Sequence, residues 1–264
     1  MSVELGTLFL FILGLLFGSF ANVVILRLPK AESVVLPRSH CPKCKSLIAW
    51  YDNLPVLSWL FLRGQCRNCK THISVRYPLV ELLTGLLFAA VFWTYGYSWS
   101  TVEYIIFVWS LVVVSFIDID HMILPDVFTL SGIVIGLAGA ALNPERDFST
   151  AFAGVLLGGG FLWLVAFLYY VVRKEEGMGG GDIKLLAWMG AVLGWQAIPF
   201  IILVSSVLGS VIGLSLAWRS KSGLKSVIPF GPYLALAAIL FLLGGSSLGF
   251  WYVSLFLPDA TSVN

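Results

Sequence analysis

Phe116-Ile117-Asp118-Ile119-Asp120-His121-Met122-Ile123-Leu124-Pro125-Asp126 puts an acidic turn at the end of a long apolar run. Further along, Gly177-Met178-Gly179-Gly180-Gly181-Asp182-Ile183-Lys184 puts another aspartate at the start of one. The runs beside these two stretches decide the fold. A carboxylate at the edge of a membrane span is costly to desolvate, so it is a functional-site candidate by default. A lone aspartate there also reads as a solvated residue at a helix end. The glycine run and the Leu-Pro-Asp turn set these two apart from that reading.

Outward from them the chain stays apolar. Of its 264 residues, 59% are hydrophobic and only 11% charged. Soluble domains carry about 25% charged residues, so the expected fold is an all-α polytopic membrane protein. Spans of about 20 residues fall near 5–28, 78–97, 101–118, 124–142, 150–172, 182–196, 197–218 and 228–257, eight in all. The sixth is short and rich in small residues (Ala187, Gly190, Ala191, Gly194), which suit close helix contact better than lipid. Three parts follow: a first transmembrane helix (1–28), a polar loop (29–77) and a seven-helix membrane domain (78–257). Met1-Ser2-Val3-Glu4 lacks the basic start of a secretory signal. No internal repeat is read. The net charge of +2 gives no reason to expect nucleic acid. Membrane lipids are the expected surroundings, and composition leaves the oligomeric state open.

Lys and Arg set the orientation. Residues 27–76 hold nine of the sixteen. With that loop in the cytoplasm, eight alternating spans bring Arg173, Lys174, Lys184, Arg219, Lys221 and Lys225 to the same side. Only Arg146 falls outside. Both aspartate motifs then face the cytoplasm.

All four cysteines lie in the polar loop, as Cys41-Pro-Lys-Cys44 and Cys66-Arg-Asn-Cys69. Two C-x-x-C hooks at this spacing read as a tetrahedral structural zinc site with four thiolate ligands. The metal substitutes for a core that so short a loop cannot build. A cytoplasmic location disfavours stable disulfides. His40 and His72 flank the hooks as solvated neighbours or stand-in ligands. Between the hooks, the Trp50–Leu60 stretch is too broken by Pro and polar residues to span a bilayer. Its aromatic residues fit a segment at the membrane interface. Packing over the zinc fold fits them equally.

Two carboxylates sharing one proton can hydrolyse a peptide bond without a metal or a nucleophilic side chain. The ionised member takes a proton from water, and the neutral member donates to the carbonyl oxygen. Asp118 and Asp182 are the candidate pair. Gly179, Gly180 and Gly181 carry no side chains to hold a substrate backbone away. The run is not a dinucleotide fingerprint, since Asp182 stands at its last glycine position and no strand precedes it. Lys184 faces away from Asp182 on a helix and reads as an inside-facing anchor. Asp126 follows Pro125 at a helix start, where the dipole favours an anion, and reads as structural.

These elements together resemble the type IV prepilin peptidases, membrane aspartyl proteases with a G-x-G-D motif. The likeness covers nearly the whole chain: Gly18-Ser19-Phe20-Ala21-Asn22-Val23 with Arg27-Leu28-Pro29, both cysteine hooks, Pro55-Val56-Leu57-Ser58-Trp59, Leu62-Arg63-Gly64, Arg76-Tyr77-Pro78-Leu79-Val80-Glu81, and the two aspartate motifs. The resemblance implies an inner-membrane enzyme that cuts the basic leader from prepilins or pseudopilins at the cytoplasmic face. It further implies N-methylation of the new N-terminus by S-adenosylmethionine. By motif position Asp118 and Asp182 are the catalytic residues. The cysteine loop is linked to methylation. Gly64, Glu81, Asn22 and Arg27 are candidates for cofactor binding on the resemblance alone. Interfacial anchoring is the other reading of Asn22 and Arg27, and a satisfied bundle carboxylate that of Glu81. The system served, whether pilus, type II secretion or DNA uptake, stays open.

Three other readings remain at this point. One is a peptidase without methyltransferase activity. A second is a membrane thiol oxidoreductase using its C-x-x-C pairs, which requires cysteines on the oxidising side. A third is a non-catalytic scaffold of a secretion or pilus machine.

Overall fold

A computed structural model describes residues 2–175, 179–219 and 229–245. The chain falls into two compact units, Met1–Ile117 and Asp118–Asn264.

In the first unit, α1 (Val3–Arg27) and α3 (Arg76–Tyr95) are the main packing partners. Ser2 caps α1 by accepting the Leu5 N–H at 3.4 Å. The two helices approach closely at Gly18, where an added Cβ would sit 2.5 Å from the Glu81 Cα. Helix α4 (Trp99–His121) begins in this unit. Its Trp109 donates to the Phe17 carbonyl at 3.0 Å and stacks on Phe20. Between α1 and α3 lie the cysteines and the five-residue α2 (Leu57–Phe61).

The second unit holds α5 (Asp126–Leu142), α6 (Phe148–Arg173), α7 (Gly180–Leu193), α8 (Ala197–Arg219) and α9 (Gly231–Leu240). A π-helical stretch, Phe241–Gly245, extends α9. Asp147 caps α6, accepting from the Ser149 and Thr150 amides. Helices α6 and α7 touch backbone to backbone: a Cβ on Gly154 would lie 2.2 Å from the Gly190 carbonyl oxygen. Only glycine permits that approach. Residues Leu185–Val192 of α7 are all buried, as expected of the short, small-residue segment.

Each of the eight apolar segments contains a helix, but they do not all have the length of a span. Five helices among the described residues are long and apolar enough to cross a membrane: α1, α3, α4, α6 and α8. Helices α5 and α9 are shorter apolar helices. At 14 residues, α7 reaches about 21 Å, against a hydrocarbon core of about 30 Å. Span eight is described over 229–245, while 228 and 246–257 lie outside the described residues. The protein is a helical, multi-pass membrane protein.

Candidate active site and cysteine centre

Asp118 sits in the last turn of α4 and is 5% exposed. Its Oδ2 accepts the Gly231 backbone N–H at 3.0 Å. Gly231 is the first residue of α9, with Pro232 in the same turn. Proline suits a helix start because its φ is already helical and it lacks a donor that the first turn cannot use. The first amides of a helix have no intrahelical acceptor, so they are available to an anion. A Cβ at position 231 would lie 2.7 Å from Asp118 Oδ2 and 3.2 Å from Leu124 Cδ2. One at position 181 would lie 2.9 Å from Leu124 Cβ. Leu124 of the Leu-Pro-Asp turn thus packs against the starts of both α7 and α9.

Asp182 lies in the first turn of α7, three residues after the N-cap Gly179. The Asp118 charge acts on Asp182, so the structure brings the two sequence-selected aspartates within electrostatic reach. Among the described residues no hydrogen-bond donor reaches the Asp182 carboxylate. Gly177 and Met178 of the glycine run lie outside the described residues. The neighbouring acids differ in kind. Asp120 is exposed. Asp126 occupies the first turn of α5, where its dipole role was expected, and forms an ion pair with Lys184. Lys184 therefore ties α7 to α5. Gly231 was missed in the sequence. Its only signal was a Gly-Pro pair at a helix start.

The four cysteine Sγ atoms lie within 4.8 Å of one another, and Cys41 and Cys69 are 3.7 Å apart. Four thiolates about 2.3 Å from one zinc ion would stand about 3.8 Å apart, so the donor set fits. Each pair sits on a tight turn. Cys41 N–H donates to the Ser46 carbonyl and Lys45 N–H to that of Cys41; Cys66 pairs with Thr71 and Lys70 in the same way. Lys45 and Lys70 both take positive φ. The turns are copies 25 residues apart, Cys41-Pro-Lys-Cys-Lys-Ser-Leu-Ile48 and Cys66-Arg-Asn-Cys-Lys-Thr-His-Ile73. This corrects the expectation of no internal repeat. The Ser46 hydroxyl lowers the Cys44 thiol to about 6. The Cys69 and Asn68 amides lower Cys66. His40 faces the Arg38 carbonyl at 3.2 Å, and His72 is exposed.

The four remaining candidates hold the loop in place. Asn22 donates to the Gly18 and Tyr77 carbonyls, linking α1 to α3. Glu81 is buried and accepts the Val56 N–H at 2.7 Å, with Ser19 as a second partner. Val56 has φ +60, a strained value for a β-branched residue. Arg27 holds the Ser33 and Pro37 carbonyls. Gly64 (φ +66) closes the second cysteine turn, accepting from Ile73, and a Cβ there would lie 2.9 Å from the Trp59 ring.

These features define a helical membrane protein with two buried or half-buried aspartates in electrostatic reach of each other and a cluster of four cysteines that could hold a metal ion. Residues 12–95 match the bacterial peptidase A24 N-terminal domain, and residues 105–214 match the type IV leader peptidase family. The prepilin leader peptidase/N-methyltransferase of Aeromonas hydrophila is 42% identical over 271 residues, covering 94% of this chain and 93% of that protein. The proteins of the same name from Stutzerimonas stutzeri and Pseudomonas aeruginosa are 42% and 40% identical, each alignment covering 90% of both chains. No solved structure is a significant match. The chain belongs to the type IV leader peptidase family.

Proposed function

We propose that this chain is a membrane aspartyl endopeptidase that removes the basic leader of type IV prepilins or pseudopilins and then N-methylates the new N-terminus. The observation that supports the reading is that Asp182 lies within electrostatic reach of Asp118, whose Oδ2 accepts the Gly231 amide. Asp118 acts as the carboxylate that takes a proton from water while the water oxygen attacks the scissile carbonyl. Asp182 carries the shared proton and gives it to the carbonyl oxygen. As the tetrahedral intermediate collapses, the C–N bond breaks. Asp118 returns its proton to the leaving nitrogen, and Asp182 recovers one from the intermediate's hydroxyl. Both carboxyls end as they began.

Cys41, Cys44, Cys66 and Cys69 would hold a structural zinc ion. S-adenosylmethionine supplies the methyl group. By the resemblance alone, Asn22, Arg27, Gly64 and Glu81, which hold the cysteine loop in place, are the candidates for binding the methyl donor. The Lys/Arg asymmetry supports a site at the cytoplasmic face of a bacterial inner membrane. A leader bearing Lys or Arg stays inside because moving it across is costly, while the apolar pilin helix behind it lies in the bilayer.

The test is incubation of the purified protein with a prepilin and labelled S-adenosylmethionine, with cleavage and label read separately. Cleavage with label supports the full proposal. Cleavage without label leaves a peptidase only, and no cleavage overturns it. For topology, a probe at position 43 in intact cells should be protected and one at 147 reactive.

A further inference from the structure

The segment between the cysteine pairs has two sides. On one, the Ser58 hydroxyl donates to the Tyr51 carbonyl at 3.0 Å, and the Trp59 indole N–H donates to the Ile73 carbonyl at 3.1 Å. The first ties α2 to the preceding turn and the second ties it to the second cysteine turn. On the other, Leu57, Leu60 and Phe61 are exposed, Phe61 by 84%. Trp50, 74% exposed, adds an aromatic surface in the preceding turn.

The depth of α2 is set by Glu81. That residue lies five positions into α3, roughly 8 Å along the axis from Arg76. Its carboxylate holds the Val56 N–H, immediately before α2. The 20 residues of α3 extend about 30 Å, the thickness of the hydrocarbon core. With α3 filling the core, a group hydrogen-bonded to Glu81 lies about 8 Å inside its edge, within the roughly 5–10 Å to which interfacial helices bury their apolar faces. Charge agrees with this placement. Residues 29–77 carry eight Lys and Arg against Glu32 and Asp52. Asp52 is already paired with Arg67. A cationic segment with exposed Trp, Leu and Phe is the composition of a surface that lies in the plane of an anionic bilayer.

We infer that α2 is a membrane-docking element: Leu57, Leu60 and Phe61 insert into the lipid interface and hold the cysteine centre flat against the bilayer. The occupant of this face is phospholipid. Both readings of the Trp50–Leu60 stretch hold at once, since Ser58 and Trp59 pack on the cysteine fold while their neighbours meet lipid. The inference does not depend on the catalytic proposal.

The test places a fluorescent non-natural residue at position 61 of the full chain, in vesicles of phosphatidylethanolamine and phosphatidylglycerol. Position 57 repeats it, and position 43 is the control. Position 61 should be quenched more strongly by a lipid spin label high on the acyl chain than by one near its end. Iodide quenching should be at least fivefold weaker at 61 than at 43. In a Leu57→Asp/Leu60→Asp background, iodide access at 61 should rise towards that of 43 with metal content unchanged. Equal iodide access at 61 and 43 in the parent overturns docking. So does protection from both iodide and lipid labels, which would mean that protein, a second copy or a bound substrate helix, covers the face.

Discussion

The Gly231 amide and the Asp118 carboxylate form a 3.0 Å hydrogen bond across 113 residues of sequence. It joins the end of α4 to the start of α9. The bond needs an amide that no side chain obstructs, and a Cβ at 231 would lie 2.7 Å from the accepting oxygen.

Gly231→Ala should therefore reduce cleavage with little change in substrate affinity. The methyl group displaces Asp118 by a fraction of an ångström to an ångström. Misplacement of that size costs on the order of 100-fold in rate. Steady-state kinetics on a prepilin should show the fall in kcat with KM nearly constant. Leu124→Ala in the same chain relieves the Leu124 contact but not the Asp118 contact, so it should not restore activity. Wild-type kcat in Gly231→Ala would remove Gly231 from the positioning of Asp118.

Arg146, which the charge count sets apart from the other fifteen cations, has a structural role. Its guanidinium donates to the Ala191 and Val192 carbonyls at 2.6 and 2.7 Å, and to that of Gly136 at 3.3 Å. It thereby terminates α7. Arg146→Ala should cost about 1–3 kcal/mol, because buried carbonyls lose their donors. Arg146→Lys should recover only part, since an ammonium cannot span the carbonyls as the planar fork does. Thermal unfolding in detergent checks both.

Side chains explain what was legible in the sequence. Asp118, Asp182 and the four cysteines carry their chemistry in residue type and spacing; the structure clusters the cysteines and sets the two aspartates within electrostatic reach. Asp126 and Pro125 announced a helix start. Gly231 supplies a backbone group, which leaves no mark in residue type beyond the Gly-Pro pair. The cysteines alone do not reveal the 25-residue repeat, since any two C-x-x-C hooks share them. The following Lys-Ser/Thr-x-Ile positions, with Lys45 and Lys70 at positive φ, complete it. Helix α7 satisfied an apolar count, but its residues face α5 and α6 rather than lipid. Apolarity alone does not separate those two surroundings.

Asp147 makes the cap of α6 pH-dependent. The Ser149 hydroxyl, then that of Thr150 and its amide, lower its carboxyl from the usual 3.8 to about 2. A carboxylate depressed on folding stabilises the native state above its unfolded value, and that stabilisation is lost as pH falls through the folded value. Asp147→Asn can still cap the helix but cannot titrate. The melting-temperature difference between wild type and Asp147→Asn should be constant above about pH 4 and shrink towards pH 2. A difference that grows on acidification would contradict the assignment.

The cysteine centre should carry about one zinc ion per chain. A Cys41→Ser/Cys69→Ser variant removes one ligand from each turn and should release it, measured by elemental analysis. Residues 38–72 should then become protease-sensitive. Cleavage should survive better than methylation, since the aspartates lie on other segments. Full metal retention in the double variant would refute a four-thiolate site.

Asp118 and Asp182 should behave as one device. Asn keeps the size of Asp but cannot share a proton, so Asp118→Asn and Asp182→Asn should each abolish cleavage. The double variant should be little worse than either, because parts of one catalytic unit are not additive. Asp182→Glu should fail as well: its extra methylene moves the carboxylate by about an ångström, and such a shift is costly. Asp120→Asn should stay active, since Asp120 is exposed where Asp118 is buried. Asp126→Asn loses the ion pair with Lys184 but should retain measurable activity, since that pair is partly exposed and exposed pairs contribute about 0–1 kcal/mol. The assay is prepilin cleavage in liposomes at equal enzyme amounts. Normal cleavage by Asp118→Asn with a dead Asp120→Asn would move the dyad within its motif. Normal cleavage by both Asp118→Asn and Asp182→Asn would rule out an aspartyl protease built on this pair.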